Sequence, residues 1–172
     1  MDHTLFFPEV SATSLAGESF EFPDSFGADL TLVLLGFRGW QRPAMKSWVR
    51  TARMLELQAP GFEYFEMPVI QEASPEAPQA AETEQLDAAP DRLTREKTVP
   101  LHVDTAGFLR RFGLPTDEEM YAVLLDSHGL ILRIWTGTAT DRSRTQLVEF
   151  VRTAEVVVEP DPPRRQSVYP SP

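Results

Sequence analysis

The chain has 172 residues, 42% of them hydrophobic and 10% aromatic, with a formal net charge of -10. That length and composition fit one folded domain with a real core and exclude a disordered chain, and the charge argues against nucleic-acid partners and anionic membrane surfaces. Cysteine is absent, which excludes disulfides, thiolate metal sites and thiol nucleophiles together.

In chain order, MDHTLFFPEV lacks the basic start and apolar core of a signal peptide, so a cytoplasmic protein without membrane insertion is expected. Leu15 to Phe20 reads as a small hairpin, with Gly17 in the turn and Phe20 and Phe22 on one face. Leu30 to Phe37 is too apolar for a half-exposed strand and too short for a buried helix, so a central strand is expected. Pro43 suits the first turn of the following helix. There Met45, Trp48, Val49, Ala52 and Leu55 form one stripe, with Lys46, Arg50 and Arg53 opposite. Pro60-Gly61 ends that helix, and Phe62 to Ile70 is a second strand, with Pro68 either placing it nearer an edge or marking where it frays.

Residues 71–91 contain Glu72, Glu76, Glu82, Glu84, Asp87 and Asp91 and no Lys or Arg. With Leu86 as the lone large apolar side chain, the segment reads as a flexible acidic insertion. The fold resumes at Thr98 to Val103. A short helix capped by Asp104 or Thr105 runs through Phe108 and Phe112 to Gly113. Tyr121 to Leu125, the turn Asp126-Ser127-His128-Gly129 and Leu130 to Trp135 form the clearest hairpin. A last helix runs from about Thr140 to Ala154, burying Leu147, Val148 and Val151, and residues 159–172 form a Pro-rich tail expected to be disordered. The expected fold is α/β, one domain over 1–158, with parallel neighbours across the first helix and an antiparallel edge from the late hairpin.

This order, with its turn positions, resembles the thioredoxin-like fold in the branch of the peroxiredoxins and the alkyl hydroperoxide reductase/thiol-specific antioxidant family. It implies a central mixed sheet flanked by helices, with an N-terminal hairpin. The stretch WQRPA lies where such proteins carry Trp-Cys-X-X-Cys, so Gln41 stands at the attacking cysteine and Ala44 at the resolving one. Met120 stands where they place a cis-proline opposite the dithiol. A further resemblance is to cysteine-free bacterial relatives of the mitochondrial ATP synthase assembly factor family. It rests on Leu32 to Phe37 with Gln41 and Ser47-Trp48, on Tyr64 to Ile70, and on Leu125 to Gly129 with Trp135 to Ala139. That likeness implies assembly or chaperone-type binding of another protein.

Disulfide exchange needs a thiol; the amide of Gln41 has no proton to give in the useful range, and a thioether cannot replace it. No catalytic residue, metal or cofactor is therefore expected. The expected binding rim comprises Arg38, Trp40, Gln41, Arg42, Pro43, Ala44 and Met120. The N–H groups opening the helix, with Arg38 and Arg42 nearby, could receive a carboxylate or phosphate, or the arginines could simply solvate the turn. Trp40 is open to interface or core, and Met45 and Trp48 read as core. His3, His102 and His128 lack metal spacing, and Asp104 and Asp126 read as cap and turn residues. The competing class is an antioxidant-family oxidoreductase working through an unrecognised non-thiol group or a recruited cofactor.

Overall fold

A computed structural model describes residues 5–72, 89 and 91–157. The chain runs through β1 (Val10–Thr13), β2 (Ser19–Phe22), β3 (Leu30–Gly36), α1 (Arg42–Gln58) and β4 (Phe62–Gln71). It continues through α2 (Arg92–Lys97), β5 (Leu101–Val103), α3 (Thr105–Phe112), β6 (Tyr121–Asp126), β7 (Ile131–Thr136) and α4 (Asp141–Val157). The β1–β2 hairpin is antiparallel, and the main sheet has the order β5-β4-β3-β6-β7.

β3 is central because every one of its residues is buried. Since side chains alternate across a strand, Leu30, Leu32 and Leu34 enter one core with Trp48, Ala52 and Leu55 of α1 and Leu147 and Val151 of α4. Val33 and Leu35 enter the other core with Phe7, Phe22, Phe65, Phe108 and Phe112. The stripe expected on α1 is the buried face of that helix. Trp48 is wholly buried, and its indole Nε1 donates to the Gly137 carbonyl at 2.9 Å. The Ser47 hydroxyl accepts from the Ala139 N–H at 2.8 Å. These two bonds tie the start of α1 to the chain leaving β7.

β4 pairs parallel with β3, and β6 pairs antiparallel with both β3 and β7. Of the two expectations for Pro68, the edge placement is corrected, since β4 lies between β3 and β5, whereas pairing with β3 does end at this residue. Pro68 is tolerated because its position is the last one paired with β3, opposite Gly36, while pairing with β5 begins only at Val69. Gly36 is itself constrained, since a Cβ there would overlap the Met45 sulfur packed against β3.

The bounds of the acidic insertion need correction at both ends. Gln71 is the last residue of β4, the Glu72 N–H donates to the Val103 carbonyl at 3.0 Å, Ala89 is 2% exposed, and Asp91 caps α2. Residues 73–88, like the C-terminal tail, lie outside the described residues. α2 itself was not expected, for its six residues, RLTREK, show no apolar stripe. Asp104 caps α3, and Gly113 closes it with a φ of 74°, a left-handed conformation that side chains resist. Asp126 holds the β6–β7 turn by accepting from the N–H groups of His128 and Leu130, each at 2.9 Å. Among the described residues no helix is long and apolar enough to cross a membrane.

Candidate functional site

Past Gly36 the chain leaves the sheet, makes one tight turn over Gly39–Gln41 and enters α1 with Pro43 in its first turn. Two backbone N–H groups at the strand end would otherwise lack partners, and a side-chain amide can supply an acceptor to them and a donor elsewhere. Gln41 does both. Its Oε1 accepts from the N–H of Phe37 at 2.8 Å and of Arg38 at 3.3 Å, and its Nε2 donates to the Asp117 carbonyl at 2.8 Å. The Arg38 guanidinium bonds the Asp117 carboxylate at 2.8 Å and lies 3.7 Å from Glu118. The loop before β6 is thus stapled to the turn by two side chains. The Tyr121 hydroxyl secures the same loop by donating to the Thr116 carbonyl at 2.8 Å, and burial pushes its pKa up.

Two expected members of the binding rim are therefore corrected. Gln41 is 2% exposed and Met120 is 1% exposed, so neither side chain is presented to a partner. Gln41 turns inward because its amide is spent on the strand end and on Asp117. Met120 turns inward because it precedes β6 on the face shared with Trp48 and Leu124. Ala44 is half-buried against that core. Arg38, Trp40 and Pro43 remain exposed, Arg42 is half-buried, and Trp40 reaches 65% exposure with its indole in solvent.

On its other flank the turn borders a cleft of about 230 Å³ between the first turns of α1, the end of β4 and the segment carrying α2. Arg38, Arg42 and Lys46 contribute cations to its lining, and Glu66, Thr94 and Thr98 contribute polar groups. Glu66 is 4% exposed, and its two carboxylate oxygens lie 2.9 and 3.2 Å from Lys46 Nζ. Lys46 lies opposite the apolar stripe of α1, as its spacing implies, but its partner Glu66 has no local signature of that pairing. The available signal was a pair of acids, Glu63 and Glu66, inside an otherwise apolar strand, FEYFEMPVI, because a charge buried in a central strand needs a partner.

Behind the cleft, α2 is held by polar contacts rather than by an apolar face. Thr94 donates from its N–H and its hydroxyl to Asp91, each at 2.8 Å, and these bonds hold the Asp91 carboxyl below its ordinary range. The Arg53 guanidinium reaches the Thr94 hydroxyl at 3.2 Å and the Tyr64 hydroxyl at 3.1 Å, and the bond to Tyr64 raises the arginine's pKa. Burial pushes the Tyr64 phenol up as well. Lys97 pairs with Glu56 and lies 4.9 Å above the Tyr64 ring.

Among the described residues, no three His, Cys, Asp or Glu side chains are placed to hold a metal ion. His102 and His128 are exposed, and Asp104 and Asp126 serve as cap and turn residues.

No family model matches the chain, and no curated protein matches it. Solved structures do match along nearly its whole length. A thiol:disulfide interchange protein from Bacteroides sp. is 18% identical, with a TM-score of 0.60 over 91% of this chain and 94% of that one. The fold is thioredoxin-like. BsSco, a member of the Sco family of cytochrome c oxidase assembly proteins, is similar at 12% identity and a TM-score of 0.62, covering 90% of this chain and 96% of its own. A thioredoxin family thiol:disulfide interchange protein from Chlorobium tepidum is similar at 15% identity and a TM-score of 0.53, covering 88% and 98%. At such identities the likeness establishes the thioredoxin-like architecture alone. Within it, this chain has no cysteine at any position, and an amide faces inward at the turn that opens α1.

Proposed function

We propose that this thioredoxin-like chain is redox-inactive and acts as a binding module of the assembly or chaperone type, docking another protein on the turn formed by Arg38, Trp40, Arg42 and Pro43. One observation carries the reading: the turn exposes a large indole, 65% accessible at Trp40, while Gln41 beneath it holds the backbone rigid through three hydrogen bonds. An aromatic side chain on a pre-ordered turn is a favourable anchor, because it buries much apolar area on docking and little freedom remains to be lost. The resemblance to ATP synthase assembly factors supports the same reading. So does the likeness to BsSco, itself of a family of assembly proteins.

The test is capture of a partner from the native organism by wild-type protein and by the Trp40→Ala, Arg42→Ala variant. The partner is retained by the first and lost by the second, with no change in melting temperature beyond a few degrees. In parallel, purified protein is assayed for insulin reduction and peroxide consumption. A rate clearly above that of the same variant would replace this reading with the oxidoreductase one.

A further inference from the structure

The cleft beside the turn carries an unbalanced charge, and its walls show what would balance it. Of the three cations lining it, Arg38 is paired with Asp117, and Lys46 is paired with Glu66. Arg42 is the third. Among the described residues no carboxylate lies within ion-pair distance of it. Its placement is costly, since α1 has no acid in its first turn and begins with this arginine, where the helix dipole disfavours positive charge. Lys46 follows one turn later on the same side, adding like-charge repulsion. A cation kept against both effects in the wall of a cavity is a local conflict of the kind found at functional positions.

The remaining lining narrows the ligand. Glu66 on the floor is neutralised by Lys46 but presents no spare positive charge, so the cleft offers one net cation and disfavours a second anionic group. Met45, Val69 and Ala89 are nearly fully buried and, with Ile70 and Phe37, form an apolar wall. At about 230 Å³ the cleft falls below the roughly 300–1,000 Å³ usual for drug-sized ligands.

We infer that this cleft binds a single carboxylate carried on a short aliphatic body, with Arg42 as its counter-ion. A free branched-chain acid and the C-terminal residue of a polypeptide share this chemistry. The inference deepens the binding-module reading, with which it shares Arg42, and it does not depend on Trp40.

The experiment is titration of the full chain with N-acetyl-leucine, followed by calorimetry or by amide chemical shifts, with N-acetyl-leucinamide as the uncharged control. Saturable binding of the acid, about tenfold or more tighter than the amide, is expected for a charge-assisted contact. Arg42→Gln should lose about tenfold, Arg42→Lys should retain part of that, and Leu57→Ala, an exposed change outside the cleft and the turn, should bind as wild type does. Glu66→Gln releases Lys46 and should let succinate, a dianion, bind about tenfold tighter than it does to wild type.

An acetylated tripeptide ending in leucine separates the sources. Tighter binding than N-acetyl-leucine assigns the site to a protein C-terminus, and equal or weaker binding assigns it to a free acid. Absence of saturable binding, equal affinity for acid and amide, or undiminished binding by Arg42→Gln overturns the inference. If Trp40→Ala still abolished partner capture in that case, the binding-module reading would stand without it.

Discussion

The two flanks of the turn from Arg38 to Ala44 are built from opposite chemistry. Towards β6, the Gln41 amide and the Arg38 guanidinium both close on Asp117, and Met120 fills the space beneath. Towards β4, the chain leaves a cleft in which Lys46 is committed to a buried carboxylate and Arg42 has no carboxylate partner among the described residues. The closed flank shows how one inward amide makes the turn that opens α1 a structural joint. The open flank shows that the same turn still borders a charged, partly apolar cavity.

The contrast can be broken most directly at Gln41. Gln41→Ala removes three hydrogen bonds, and with partly buried backbone partners left unpaired the expected loss is about 2–3 kcal/mol. Urea denaturation measures it; a loss near zero would mean that the staple does not hold the closed flank.

On the open flank, Lys46→Met leaves Glu66, 4% exposed, without its cation. The expected loss is about 1–2 kcal/mol, below that for a fully buried pair because the lysine is itself half in solvent. Adding Glu66→Gln to that variant should restore most of the stability, because the stranded charge is then gone.

A finer comparison sets Glu66 against Glu63 on the same strand. Glu63 leans on the Thr31 hydroxyl at 3.5 Å, and burial pushes its pKa up. The folded state therefore binds this proton more tightly than the unfolded chain, so the contribution of Glu63 to stability falls as pH rises through and above the ordinary carboxylate range. Glu63→Gln should stabilise the protein at neutral pH relative to wild type, and the gap should close as pH falls to about 4. Melting curves across that range check the sign. The smallest effect is expected at Trp40, where replacement by Ala should change stability by no more than about 0.5 kcal/mol while removing the proposed anchor.

How much of this could be read along the chain depended on the kind of interaction. The apolar stripe of α1, the buried run of β3, the Asp104 and Gly113 ends of α3 and the Asp126 turn were all legible, because each is a local pattern within a few residues. For the strand through Pro68 the edge alternative fails and the end of pairing with β3 at that residue does not, since a proline reports its own missing N–H but not which strands lie alongside. α2 was missed because it is short and held by Thr94, Asp91 and Arg53 rather than by an apolar face.

By itself the sequence determined the order and buried faces of the main elements, and it ruled out thiol chemistry, since composition and periodicity belong to the residues wherever they lie. Only the tertiary structure decided that Gln41 turns inward to a carbonyl 76 positions away, that Lys46 serves a carboxylate 20 positions away, and that Arg42 meets no carboxylate among the described residues. A polar side chain's role is set by the group it meets. Across such separations, the packing of the sheet alone brings those groups together.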